Sequence, residues 1–317
     1  MVKKKDKRIL SLKEWKSPIP RKIHLIWIGG EPPDYFKHFL NSFQQNLPEF
    51  EIRVWGNKEL NKKHFPITMP YIKKAQKLQG KKIKASSDAT HDDRMHSMLN
   101  TKGENYTYSK WAQITDLMRL EIVFREGGYY FDTTFEILKP MYKLFNMPKV
   151  KFVGCNEVPR FKDFHILSNS FFGAIKGSPI LKRLLNKRTL DRIDFYSTAV
   201  DFETGPGFLR SAVKTTDPIK IFPSKYFYPF VEEYTPGQDP PYRKSSKNKC
   251  HSFKKKKGKK QTKRKTNRNK KNSSRVIRLK NKKGYLEIPC KKYPQSYALK
   301  HWQLGKSWLI SNYYLRD

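Results

Sequence analysis

Asp132 is followed two positions later by Thr134 and four positions later by Glu136, inside the stretch "GGYYFDTTFEIL" (Gly127–Leu138). In an extended chain alternate residues share a face, so these three side chains would point the same way. An Asp-x-Asp at such a place offers two hard oxygen ligands to Mg2+ or Mn2+. An ion so held also grips a nucleotide diphosphate and neutralises the charge on its departing phosphates. Here the second position is Thr134, whose hydroxyl can coordinate Mg2+ but brings no charge. Glu136 cannot be promoted in its place, because two further residues carry it about 6–7 Å along the strand. Two readings stand on the residues alone: an altered metal site, or a strand with a polar end. Asp116 and Arg119 are i, i+3 neighbours, either an ordinary helical ion pair or a carboxylate for sugar hydroxyls steadied by a phosphate-seeking guanidinium. His91, Asp92, Asp93 and His96 form another polar cluster without metal-ligand spacing, and read as a solvated loop.

The surrounding segments follow an α/β order. "KIHLIWI" (Lys22–Ile28) is a dense apolar run closed by Gly29-Gly30, as in a strand buried on both faces. Asp34 starts a helix to about Asn46 with Phe36, Phe39, Leu40 and Phe43 on one face, and Glu51–Trp55 is a second strand. Strand, helix, strand predicts a βαβ unit. Ser109 reads as an N-cap for a helix through Glu126, which Gly127-Gly128 terminates before the strand that carries Asp132. Further strands are expected at 151–155 and 170–175, a helix at about 178–187, and a Gly/Pro turn into a helix at 204–213. Asp132 thus falls at the carboxyl end of a buried strand, where open α/β sheets bind ligands.

The 317 residues suffice for one large domain. The formal net charge of +39 is concentrated: residues 243–283 hold 21 Lys or Arg and no Asp or Glu. So little apolar surface cannot offset ordering entropy, and the segment reads as a disordered insertion within a domain of residues 18–317, after a basic extension at 1–17. It would attract polyanions or anionic membranes, and its few aromatics argue against base-stacking recognition. Three widely spaced cysteines fit neither a disulfide framework nor a CxxC site. With no secretory signal and no apolar run of spanning length, the sequence predicts a cytoplasmic location, in a host cell or virion if viral.

Six motifs in order resemble the DXD-containing sugar-binding-region glycosyltransferases of family 32. They are "IPRKIHLIWIGGEPP", "YSKWAQITDLMRLEIVFREGGYYFDTTFEIL", "SNSFFGAIKGSPIL", "TGPGFLRSAV", "FPSKYFYPF" and "YALKHWQLGKSW". The resemblance implies a GT-A fold, with a mixed, mostly parallel central sheet flanked by helices. It implies transfer of a hexose from a UDP- or GDP-sugar to a glycan, lipid or protein hydroxyl, with retention and with Mn2+ or Mg2+. By similarity Ile26, Trp27 and Ile28 would border the base, and Asp116, Arg119, Asp132 and Asn169 would bind and activate the donor. Gly205 and Pro206 would shape the acceptor loop, and Ser307 and Trp308 would close over the diphosphate. Asp132, Thr134 and His301 would meet the metal. Glu203 is a candidate helper beside the acceptor turn. Thr134 stands where the family has its second Asp, which leaves open an impaired, binding-only protein as the alternative, and a polyanion-binding role for the basic tract as another.

Overall fold

The computed structural model describes residues 14–83, 99–102, 105–108, 110–157, 167–197, 200–229, 277–281, 284–288 and 295–300. Strand β1 (Lys22–Ile26) is followed by helix α1 (Asp34–Asn46), strand β2 (Glu51–Trp55) and helix α2 (Met69–Leu78). Short strands β3 (Lys82–Ile83), β4 (Leu99–Lys102) and β5 (Asn105–Tyr108) form a small sheet of their own. Then come helix α3 (Trp111–Glu126), β6 (Gly128–Phe131), β7 (Phe135–Ile137), β8 (Phe152–Asn156) and β9 (Leu167–Ala174). Helices α4 (Pro179–Leu184), α5 (Val200–Glu203) and α6 (Pro206–Ser211) precede β10 (Ile219–Phe222), the hairpin of β11 (Ile277–Asn281) and β12 (Gly284–Ile288), and β13 (Ala298–Lys300).

Six strands make the central sheet, in the order β10-β8-β9-β6-β1-β2. All run parallel except β9, which is antiparallel to both neighbours, β6 and β8. This is the mixed, mostly parallel sheet that was expected. Alternation along β6 splits the apolar interior between the two faces. Tyr129 and Phe131 pack with Phe43 and Phe171 on the α1 side, while Tyr130 joins Ile114, Leu117 and Phe172 on the α3 side. The apolar run of β1 is explained by its place between β2 and β6.

Helix α3 has to be fixed in register, because it carries Asp116 and Arg119. It ends where Gly127 and Gly128 take φ of +68° and +101°, a region that favours glycine. A Cβ on Gly128 would sit 2.6 Å from the Lys22 carbonyl oxygen, so only glycine lets β6 enter beside β1. Buried His24 ties the same corner down: its Nδ1 accepts from Trp55 Nε1 at 3.3 Å, so its Nε2–H donates to the Gly127 carbonyl at 2.8 Å. Burial pushes this imidazole down to about 4, and it stays neutral. Farther up α3, Glu121 accepts from the Ile67 and Thr68 amides and the Thr68 hydroxyl, capping the entry to α2.

Three expectations are corrected. The strand expected through Leu138 stops at Phe131, and Asp132-Thr133-Thr134 is a turn, with the Phe135 amide donating to the Asp132 carbonyl at 3.2 Å. Residues 132, 134 and 136 therefore do not line one extended face. β7 leaves the main sheet and pairs antiparallel with β13 instead. The helix expected over about 178–187 is two shorter ones, Pro179–Leu184 and Lys187–Leu190. The stretch read as disordered, about 243–283, contains strand β11 at 277–281; residues 243–276 lie outside the described residues, as do the Ser109 cap and the cluster of His91, Asp92, Asp93 and His96. Among the described residues no helix is long and apolar enough to cross a membrane.

Candidate functional site

The carboxyl ends of β1, β6 and β8 reach one edge of the sheet, and the reversal of β9 brings its amino end, with Asn169, to the same edge. At the end of β1, Ile26 is buried and Trp27 and Ile28 are half-buried. The Trp27 indole N–H donates to the Gly30 carbonyl at 2.8 Å, and its ring lies 5.6 Å from that of Phe36. Gly29, at φ +94°, lets the exposed ring of Trp111 close on the backbone; a Cβ there would be 3.2 Å from that ring.

Next to this edge lies a compact charge network. α3 enters from above β6, so its early turns bring Asp116 and Arg119 to the strand end. Both are buried, and the guanidinium reaches Asp116 at 3.2 Å and Asp132 at 3.3 Å. It also donates to the Asn169 carbonyl at 2.8 Å and to Thr115, and it stacks over the Tyr130 ring at 4.6 Å. Asp116 accepts from the Asn169 amide at 2.8 Å and from the Thr204 hydroxyl at 2.9 Å. Asp132 keeps a quarter of its side chain exposed. Its Oδ1 accepts from the Tyr130 hydroxyl at 2.6 Å, and its Oδ2 is paired with the ammonium of Lys300. Burial alone would raise the Asp132 carboxyl, but Lys300 and Arg119 outweigh it and hold the group below its ordinary value. Asp116 lacks that surplus of cations, and burial pushes it up to about 6.

Lys300, Tyr130, Glu157 and Asp201 were not singled out from sequence. Glu157 follows β8 as Asp132 follows β6, and the same strand-end rule applied there would have found it. Burial pushes Glu157 up to about 7, and burial together with Glu157 and Asp116 pushes Asp201 to about 7. Asp201 therefore keeps its proton in the folded chain up to about pH 7 but releases it near 4 when unfolded, so the native state loses stability as pH rises through that window. Asp201→Asn is expected to stabilise the protein at pH 8 by on the order of 2 kcal/mol, and not at pH 4. Thermal unfolding at both pH values checks this; an equal change at both would refute it.

Gly205 and Pro206 follow directly on Thr204, the hydroxyl that donates to Asp116. Gly205 precedes α6 and approaches Asp201 so closely that a Cβ would lie 2.9 Å from the Asp201 Cα, and Pro206 opens α6. Glu203 accepts from the Asp194 amide at 2.8 Å, a loop-holding bond. His301, Ser307 and Trp308 lie outside the described residues. DXD motifs ordinarily serve a divalent metal, but here both Asp132 oxygens already have partners. Thr134 is buried, with no hydrogen-bond partner for its hydroxyl among the described residues. Among the described residues no group of three His, Cys, Asp or Glu could hold a metal ion. Of the residues expected at the ion, Asp132 and Thr134 as arranged here do not fit it, and His301 is not among the described residues.

Comparison with curated proteins gives no match. Among solved structures the chain is similar to the PaToxG glycosyltransferase, at 16% identity and a TM-score of 0.41 over 63% of this chain and 71% of that one. It is also similar to the catalytic domain of alpha-toxin from Clostridium novyi (12%, TM-score 0.37, 63% and 73%) and to mouse xyloside xylosyltransferase 1 (8%, TM-score 0.37, 65% and 86%). A family model described as "Glycosyltransferase sugar-binding region containing DXD motif" matches residues 33–151, which include α3, β6 and the Asp132 turn. Residues 33–151 of this chain are thus similar to the sugar-binding region of the DXD-containing glycosyltransferases.

Proposed function

We propose that the protein is a glycosyltransferase of the family 32 type, which moves a hexose from a UDP- or GDP-sugar to a hydroxyl of a glycan, lipid or protein, with retention at the anomeric carbon. The observation that carries the reading is the partly exposed Asp132 carboxylate, set between Arg119 and Lys300 at the carboxyl end of a buried strand, within the segment that matches the sugar-binding region. In the reaction the acceptor oxygen bonds to the anomeric carbon as the bond from that carbon to the diphosphate oxygen breaks. The electron pair leaves with the nucleoside diphosphate, whose oxygen takes up the acceptor proton. The leaving group develops negative charge, and fixed cations in a water-poor site stabilise it more than water would. Arg119 is such a cation, immobilised by five contacts. Trp27 and Ile28 provide partly exposed apolar surface where the resemblance puts the base. No step here runs through Mn2+ or Mg2+.

Incubating the purified chain with a panel of UDP- and GDP-sugars, with and without Mn2+, tests the reading. Release of nucleoside diphosphate from at least one donor is expected, and proton NMR of the product is expected to show the donor's anomeric configuration. Tight nucleotide binding without turnover of any donor under either condition would instead make the chain a sugar-nucleotide-binding protein.

A further inference from the structure

We propose that the ammonium of Lys300 takes the place of a divalent ion at Asp132, so that donor binding and sugar transfer proceed without metal. The proposal rests on the glycosyltransferase reading above and concerns the chemistry of that same site.

The arrangement around Asp132 is built, not incidental. β13 pairs with β7 in a register that sets Lys300 opposite Phe135, the first residue after the Asp-Thr-Thr turn. From there the side chain reaches back to Asp132 Oδ2, while the Lys300 amide is held by the Phe227 carbonyl at 3.2 Å. The lysine is buried, and its ammonium lies 5.3 Å from the centre of the Phe135 ring. Surface lysines pay rotamer entropy to hold one geometry; packing has already fixed this one. A divalent ion at Asp132 would have to displace the Lys300 ammonium from one oxygen or the Tyr130 hydroxyl and Arg119 from the other. Displacing Lys300 would separate its buried ammonium from the Asp132 carboxylate, and displacing Arg119 would cost the guanidinium one of its two carboxylates.

Thr134 is the complementary half of the argument. An Asp in its place would set three carboxylates, with Asp116 and Asp132, against Arg119 and Lys300, and that surplus of one negative charge favours a dication. The buried, neutral Thr134 removes the surplus. Arg119 and Lys300 balance Asp116 and Asp132, and the neighbouring Glu157 and Asp201, each pushed up to about 7, add little negative charge below that pH. The donor diphosphate would then meet fixed protein cations instead of a metal ion.

The test compares nucleotide binding and donor turnover by the full chain in excess EDTA and in Mn2+. Affinity for UDP or GDP, measured by calorimetry, is expected to differ by less than about threefold between the two conditions, and turnover likewise. Lys300→Met is expected to weaken nucleotide binding at least about tenfold in EDTA, with part of the loss recovered in Mn2+, because Asp132 is then open to the ion. Lys300→Arg is expected to keep EDTA-resistant binding. If Lys300→Met does not fold, the wild-type comparison decides alone. Loss of wild-type binding or turnover in EDTA overturns the proposal, as does Lys300→Met binding nucleotide at wild-type affinity. Failure to bind any nucleotide in either condition is a different result: it sinks the glycosyltransferase reading itself.

Discussion

Arg119→Met is expected to lower the free energy of unfolding by about 3–5 kcal/mol at pH 8. The methionine fills much of the same volume, so the loss is electrostatic. In the native chain the guanidinium is shared between Asp116 and Asp132, donates to the Asn169 carbonyl and to Thr115, and covers the Tyr130 ring. Among the described residues, its removal leaves buried Asp116 with only the neutral donors Asn169 and Thr204. A buried carboxylate without a cation takes up a proton before it tolerates the charge. Asp116 already sits at about 6, and it will rise further without Arg119, which at present pulls it down. The sign of the pH dependence follows. With a raised folded-state value, the carboxyl is protonated and harmless below the unfolded value near 4, and it penalises the fold progressively as pH climbs. The defect should therefore be smaller at pH 5, where it is confined to the support lost by ionised Asp132, and full at pH 8, as read from urea unfolding at both. Arg119→Lys should fall between, since one ammonium cannot serve as many acceptors as the guanidinium fork. A loss below about 1 kcal/mol at pH 8 would show that Arg119 is not the keystone of the cluster.

What could be read from the sequence divides along a physical line. α1, β2 and the span of α3 were legible because each has a local signal: apolar spacing, then a Gly or Pro stop. Asp116, Arg119 and Asp132 could be singled out for the same reason, lying on one helix and just beyond the strand that follows it. The turn at Asp132–Thr134 was not. "FDTTFEIL" alternates and carries β-branched residues, as a strand does, and what breaks it is tertiary: β7 finds β13, not a neighbour in the main sheet. Lys300 left no local trace, since 168 positions separate it from Asp132 and a lysine in a basic chain is unremarkable by composition. Only the β7–β13 register brings it to Asp132. Asp201 is similar: its environment is set by Glu157 and Asp116, which belong to other elements.

Asp132→Asn is expected to lower sugar transfer by about 100-fold or more, a figure typical of losing a preorganised charge from a water-poor site. The substitution is nearly isosteric, but it removes the counter-charge of Lys300 and half of that of Arg119. Both cations would then repel each other across the neutral amide, and neither would hold the position from which it meets the diphosphate. The same change should also cost stability, so loss of activity alone does not distinguish chemistry from collapse. A double-mutant cycle with Lys300→Met does. Breaking a buried pair from one side leaves an uncompensated charge, whereas removing both partners leaves none. The double variant is therefore expected to be more stable than the sum of the single losses predicts, with a coupling of about 1–3 kcal/mol. Turnover should not recover with stability: the double variant is expected to be as slow as the slower single one. Additive stabilities would mean that Asp132 and Lys300 do not depend on each other. Recovery of turnover along with stability would mean that the pair serves the fold, and that the charge acting on the donor comes from Arg119 alone.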